Sequence, residues 1–207
     1  MCIDDKTSIT SFIIGSIINI IVMLNTKQKV IYQLCVFWQW ILMVQLAEFL
    51  IWSDKDCGII NYTGTKLAIF FTLTQPIVLF FVFFFMSDKP KYVQIISMII
   101  ILLYIGYFFN YLNTQKEYKC VKKEENCPAL NLEWANTNNY FVYILTLLLI
   151  TFLLSDNSNP IFFFIVYSTV TVIISKEFYW CGAPSMWCWF AVPFPILLGL
   201  FSAMIKN

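Results

Sequence analysis

One stretch of the sequence places an acidic side chain inside a long apolar segment. Glu48 follows Gln45 by three residues and precedes Trp52 by four, which puts the three side chains on one face of a helix. A carboxyl group in apolar surroundings favours its neutral form, and such a group could bind a cation, carry a proton or anchor a substrate. The alternative is structural, because Glu48 is about one turn from the end of its segment and could reach headgroup water.

A second candidate feature is Gln75-Pro76, near the middle of another apolar segment. Proline removes one helix hydrogen bond and frees a carbonyl one turn earlier. Interrupted helices at mid-membrane depth recur at transporter binding sites. They are also ordinary kinks, because neighbouring helices supply new partners for the freed groups. Gln75 therefore joins Gln45, Glu48 and Trp52 as a candidate polar site, and Pro76 marks a predicted kink.

The elements that must position these residues are those of a membrane protein. The chain has 207 residues, of which 60% are hydrophobic and 12% charged, and its mean hydropathy is +0.75. Soluble domains are about 45–50% apolar and about 25% charged. A helix that crosses the hydrocarbon core needs roughly 20 apolar residues. Seven segments approach that length: 9–24, 30–52, 67–86, 92–112, 134–154, 160–180 and 187–205.

We therefore predict one all-α domain over residues 1–207, a polytopic membrane bundle of about seven transmembrane helices. The count falls to six if the fifth or sixth segment only re-enters the membrane. Three connections are very short, at 25–29, 87–91 and 155–159, and they carry a high density of lysine. Because positive charge on short loops marks the cytoplasmic side, the amino terminus is predicted to lie outside and the carboxyl terminus inside.

The cysteines and the one glycosylation sequon agree with this orientation. Cys57, Cys120, Cys127 and Cys181 all fall on the predicted outer side, where disulfides are stable. Pairing cannot be read from sequence: Cys120 with Cys127 is the local option, and Cys57 or Cys181 with the long loop would staple the bundle. Alternatively, free cysteines sit in lipid as small hydrophobes. Asn61, in Asn-Tyr-Thr, is a candidate glycosylation site.

Several classes of function are disfavoured by what the sequence lacks. The chain has no histidine and no arginine, so neither a Ser-His protease nor an arginine-based voltage sensor is expected. The cysteine spacing does not fit a zinc site, and no phosphate-binding glycine motif is present. We predict no metal, no cofactor and no enzymatic activity. A net charge of +1 gives no basic surface for nucleic acid.

The Gln45-x-x-Glu48-x-x-x-Trp52 pattern, the Gln75-Pro76 pair and residues 187–189 (Trp-Cys-Trp) together resemble a family of uncharacterised multi-span membrane proteins of large DNA viruses and protists. The resemblance covers most of the chain as a few short motifs. It implies a seven-helix bundle and makes Gln45, Glu48 and Trp52 candidate site residues, but it supplies no known activity.

Three functions fit these features. The first is a small channel or transporter for a cation, proton or small solute, with the face around Glu48 lining its path. The second is a non-transporting scaffold of a viral or reticulum membrane, and the third is a receptor-like binder of a small ligand. In each case the lipid bilayer is a partner, and the host endomembrane, the plasma membrane and the virion membrane are all candidate locations. The oligomeric state is left open by the sequence.

Overall fold

The computed structural model describes residues 4–114, 120–121, 139–156, 158–178 and 190–205. Within these ranges the regular secondary structure is entirely helical, which confirms the predicted all-α class. The helices are α1 (Asp5–Asn25), α2 (Lys29–Ser53), α3 (Ile59–Leu73), α4 (Gln75–Phe84), α5 (Lys91–Thr114), α6 (Asn139–Leu154), α7 (Ser158–Phe178) and α8 (Pro193–Ile205).

Fewer helices are long enough to cross a membrane than the sequence predicts. Three qualify by length and composition: α1 with 21 residues, α2 with 25, and Lys91–Asn113 of α5 with 23. Helices α3 and α4 meet at a bend of 42° and form a fourth span if they cross together. The described ranges therefore supply three or four membrane-length helices, not seven.

The shortfall lies in the last third of the chain. The apolar helices there are Phe141–Leu154, Asn159–Thr171 and Pro193–Met204. An α-helix rises 1.5 Å per residue, so 14 residues reach only about 21 Å, short of a hydrocarbon core of about 30 Å. The predicted spans 134–154, 160–180 and 187–205 also include residues outside the described ranges.

Helix α2 is the centre of the bundle. It packs against α1, α3, α4 and α8, and the side chains of Leu34, Phe37 and Leu42 have no exposed surface. In contrast, only 22% of the most apolar part of α1 or α5 is buried, and these helices expose large apolar side chains such as Ile17 and Leu103. Apolar area of this kind is costly in water, so these two helices suit contact with lipid.

Polar side chains join α1 to α2. The Asn19 amide is fully buried and donates through Nδ2 to the carbonyl oxygen of Cys35 at 2.8 Å and to Gln39 Oε1 at 3.1 Å. Gln39 Nε2 in turn donates to Ser16 Oγ at 2.9 Å. Hydrogen bonds of this kind hold helices together in lipid, where apolar side chains alone provide little preference for one neighbour.

The three short connections meet at one end of the bundle. Lys29 Nζ lies 2.6 Å from Asp88 Oδ2 and 3.2 Å from Asp156 Oδ2. Thr26 Oγ1 lies 3.3 Å from Ser202 Oγ, so the end of α8 is at this end too. The predicted grouping of the short connections is thus present in the fold. The side of the membrane on which this end lies stays a prediction.

The opposite end holds the start of α1 and the connection between α2 and α3. The Asp4 carboxylate caps α1, because its Oδ1 accepts a hydrogen bond from the Thr7 N–H at 2.7 Å. Hydrogen bonds from Thr7 lower the pKa of the Asp4 carboxyl, and the positive charges of Lys6 and Lys55 add to the effect. Lys55 belongs to the α2–α3 connection, so the first residues of α1 lie close to that connection.

Candidate functional site

The Glu48 carboxyl lies inside the protein and does not face the surface. Its side chain is 0% exposed, although Glu48 is only five residues from the last residue of α2. Gln45 and Trp52 are buried as well, at 2% and 6% exposed. The predicted face of α2 is therefore turned inward, which does not fit the alternative in which Glu48 reaches headgroup water. Burial of a carboxyl group is costly unless the group is neutral or matched by a partner.

A close approach between α2 and α3 fixes the helix turn that carries Glu48. Gly64 of α3 faces the α2 backbone so tightly that an added Cβ would lie 2.9 Å from the Ala47 carbonyl oxygen and 2.9 Å from the Ile51 nitrogen. Ala68, one turn later on α3, is fully buried. Two small residues four apart let helix backbones come together. The Gly64-x-x-x-Ala68 spacing is the sequence signal for this contact, and it was not among the predicted features.

The break between α3 and α4 is at the predicted kink. Helix α3 ends at Leu73 and α4 begins at Gln75, directly before Pro76. Thr74, between the two helices, donates through its N–H at 3.0 Å and through Oγ1 at 2.6 Å to the Phe70 carbonyl. The chain therefore bends here while the last turn of α3 keeps hydrogen bonds of its own.

Side chains from two other helices, α2 and α5, donate hydrogen bonds to this break. Trp40 Nε1 of α2 lies 3.1 Å from both the Phe71 carbonyl oxygen and Thr74 Oγ1. The Tyr104 hydroxyl of α5 donates to the Leu73 carbonyl at 2.7 Å. These donors provide the partners that a broken helix needs in lipid, and neither residue was among the predicted site residues.

Gln75 also bonds to a neighbouring helix. Its Oε1 accepts a hydrogen bond from the Tyr143 hydroxyl of α6, and both side chains are buried. The break is level with Trp40, eight residues before Glu48, which corresponds to about 12 Å along the α2 axis. Gln75 and Pro76 are thus near the middle of the bundle, about two turns from the carboxyl group. The hydrogen bonds at the break favour a structural kink.

Aromatic rings fill the interface of α2 with α7 and α8. Trp38, seven residues before Gln45 on the same face of α2, stacks on Phe194 with ring centroids 3.9 Å apart. Its Nε1 donates to the Ala191 carbonyl at 2.7 Å, and Phe164 meets it edge to face at 6.1 Å. This packing occupies the side of α2 that leads from Gln45 toward the short connections.

Asn61 forms a hydrogen-bonded bridge at the other end of the bundle. Its amide Nδ2 donates to the carbonyl oxygens of Ile51 at 3.3 Å, Asp54 at 3.0 Å and Val121 at 3.0 Å. The Val121 N–H donates back to Asn61 Oδ1 at 3.3 Å. Because Asn61 is 1% exposed and its amide nitrogen is engaged three times, this arrangement does not fit the predicted glycosylation of Asn61.

Asp54 caps α3 beside this bridge. Its carboxylate accepts hydrogen bonds from the N–H groups of Gly58 at 3.0 Å, Ile60 at 3.2 Å and Asn61 at 3.1 Å. The backbone N–H groups of Asn61 and Gly58 are the main causes that lower the pKa of Asp54 below its usual value of 3.8. A charged cap at a helix amino terminus is favoured both by these donors and by the helix dipole.

Of the candidate disulfide cysteines, Cys57 pairs with Cys120. Their Cα atoms are 5.6 Å apart across 63 residues of sequence, within the usual range for a disulfide. This pairing is the option that staples the long loop to the bundle, and it replaces the local pairing of Cys120 with Cys127. Cys127 and Cys181 lie outside the described ranges. Cys35 is a buried free thiol.

The described ranges contain no group of three His, Cys, Asp or Glu side chains placed to hold a metal. The chemistry that this arrangement offers is that of one enclosed carboxyl group beside an amide and an indole on the same helix face. Residues 187–189, named for the family resemblance, lie outside the described ranges. No protein family matches the chain, and neither curated proteins nor solved structures yield a match to it.

Proposed function

We propose that this protein is a small membrane transporter or channel that uses Glu48 to take up and release a proton or a small cation. The observation that carries the proposal is the complete enclosure of the Glu48 side chain. An ionised carboxylate in such a place is strongly disfavoured unless a counter-charge is present. An enclosed carboxyl group is what proton and ion pathways inside membrane proteins use.

The surroundings of Glu48 favour entry of a proton or cation from the end of the bundle near Ser53. The carboxyl is five residues from the end of α2 at Ser53, a distance of about 7.5 Å along the helix. Toward the short connections, the stacked rings of Trp38 and Phe194 fill the interface. Gln45, with its amide donor and acceptor, is the nearest polar residue on the same face in that direction, so we assign it the role of a second ligand.

In this proposal α1, α2 and α5 each cross the membrane, and α3 and α4 cross together as a fourth span. The amino terminus lies outside and the short connections lie in the cytoplasm, as their lysines favour. The proposed location is a host endomembrane, the plasma membrane or a virion membrane. We also keep as part of this proposal that the protein is related to the multi-span membrane proteins of large DNA viruses and protists that it resembles.

A non-transporting scaffold is the second candidate, and a specific observation favours it. The freed carbonyl groups at Leu73 and Phe71 are held by hydroxyl and indole donors from other helices, as in a bundle built to keep one shape. A receptor-like binder is the third candidate, and it shares with a transporter the need for an enclosed polar site.

Flux in proteoliposomes separates these candidates. The wild-type protein is compared with Glu48→Gln and with Glu177→Gln, which removes an exposed carboxyl from the end of α7. We expect proton or cation flux from the wild type, unchanged flux from Glu177→Gln, and at least a tenfold loss in Glu48→Gln, which cannot ionise. No flux from folded wild type, across pH gradients and common cations, would instead favour a scaffold or a receptor.

A further inference from the structure

The end of the bundle nearest Glu48 is closed by two linked contacts. The first is the disulfide between Cys57 and Cys120. The second is the pair of hydrogen bonds between the Asn61 amide and the backbone of Val121, the residue after Cys120. We call this set of four residues the clasp. It joins the start of α3 to a point 60 residues further along the chain.

The clasp packs an apolar side chain onto the part of α2 that carries Glu48. Val121 is 8% exposed and belongs to a small apolar cluster with Ala47, Ile51 and Trp52 of α2. Ala47 directly precedes Glu48, and Trp52 is one helical turn after it. Val121 therefore shares one apolar cluster with residues of α2 on both sides of Glu48.

The backbone at Cys57 is held in an unfavourable conformation. Its φ angle is +63°, the only positive value in the described ranges outside glycine. This left-handed region is unfavourable for a residue with a side chain, so it persists where other contacts enforce it. Here the contact partner is Cys120, which is exposed, while Cys57 is partly exposed. A dithiol in solution therefore has access to the bond.

We propose that the Cys57–Cys120 disulfide is a thiol-sensitive closure over Glu48. In the oxidised protein the disulfide keeps Val121 against α2 and Asn61, and Glu48 is shut off from water at this end. In the reduced protein Cys57 relaxes, the hydrogen bonds between Asn61 and Val121 open, and the carboxyl becomes accessible. The inference takes Glu48 as the controlled group from the proposed function, and its test needs no transport.

The chemical step is a thiol–disulfide exchange. A dithiol reductant attacks one sulfur of the Cys57–Cys120 bond and forms a mixed disulfide. Its second thiol then displaces the remaining cysteine, so the protein gains two thiols and the reductant becomes a cyclic disulfide. Two electrons and two protons pass from the reductant to the protein, and an oxidant reverses the change.

The experiment measures how fast Glu48 reacts with a membrane-impermeant, water-soluble carbodiimide plus an amine. The full chain is held in proteoliposomes, and modification is read by mass spectrometry of the Glu48 peptide. We expect the rate to rise by about tenfold or more when a dithiol is added, because local closure then no longer limits access. Reoxidation should restore the slow rate.

Two variants identify the bond responsible. A protein in which Cys2, Cys127, Cys181 and Cys188 are changed to Ser keeps the Cys57–Cys120 pair and should keep the full dithiol response. The double variant Cys57→Ser, Cys120→Ser should react at the fast rate with or without dithiol. Asn61→Leu, which keeps the disulfide but removes the amide bridge, should react at an intermediate rate while oxidised.

The proposal is overturned by equal labelling rates in oxidised and reduced wild type, whether both are slow or both are fast. It is also overturned if the double variant still speeds up on addition of dithiol. Far-UV circular dichroism and gel filtration establish that each protein compared is folded. If the labelling responds to dithiol but no flux is found, the closure stands and the transport proposal fails, so the two failures are distinguishable.

Discussion

The contact at Gly64 makes the sharpest prediction about how this bundle is held together. In Gly64→Ala the new methyl group would lie 2.9 Å from the Ala47 carbonyl oxygen, the Ile51 nitrogen and Ile51 Cγ1. Two of these three atoms belong to the backbone of α2 and cannot rotate away. The helices must therefore separate by several tenths of an ångström along the turn that carries Glu48.

The size of the effect follows from two opposing contributions. Overpacking a close contact costs about 1–3 kcal/mol, while replacing glycine by alanine within a helix gains about 0.5–1 kcal/mol. We expect Gly64→Ala to lower the free energy of unfolding by about 1–2 kcal/mol. Gly106→Ala is the matched control, because Gly106 is on the exposed side of α5 and an added Cβ meets no atom within 4 Å. It should be neutral or stabilising.

Equilibrium unfolding in mixed micelles, driven by a denaturing detergent, measures both variants against the wild type. Gly15→Ala supplies an intermediate case, because its methyl group would meet only side-chain atoms of Leu42, the nearest being Cδ2 at 2.7 Å, and no backbone atom. The expected order of stability is Gly106→Ala, then Gly15→Ala, then Gly64→Ala. Equal free energies of unfolding for Gly64→Ala and Gly106→Ala would refute the close packing of α2 on α3.

Two further predictions concern the polar groups of the bundle. The folded protein lowers the pKa of the Asp54 carboxyl, so the ionised group stabilises the fold at pH values above its usual pKa of 3.8, and this stabilisation is lost as the pH falls through the lower folded pKa. The free energy of unfolding of wild type should therefore exceed that of Asp54→Asn near neutral pH, and the difference should shrink in acid. A difference that does not change with pH would contradict the capping role. Tyr104→Phe leaves the Leu73 carbonyl without its 2.7 Å donor and should cost about 1 kcal/mol, whereas Tyr92→Phe, at a 66% exposed position, should cost nothing measurable in the same assay.

The sequence predicted the helical class because that class depends on local composition. A long run of apolar residues must form hydrogen bonds within itself wherever water is absent, and no knowledge of its neighbours is needed to say so. The break at Pro76 was predictable for the same reason, whereas the sequence left open whether Glu48 faces the interior or headgroup water. The predicted count of seven spans is not supported, since residues after 139 form shorter helices in the described ranges.

The hydrogen-bond partners at the break could not be found from the sequence. Tyr104 and Tyr143 are among 11 tyrosines in the chain, and nothing local distinguishes them from the exposed Tyr92. They are selected by the way α5 and α6 pack beside α4, which brings their hydroxyl groups to Leu73 and Gln75.

What the sequence alone determined is therefore a helical chain suited to lipid, with a carboxyl group inside one helix and short connections grouped at one end. What only the tertiary structure decided is the choice among distant partners. Asn61 matched a glycosylation sequon, yet the fold turns its amide toward Val121, 60 residues away. Cys57 had several candidate partners, and the fold brings Cys120 to it. Local patterns depend on near neighbours along the chain, whereas these pairings depend on how separate helices pack in space.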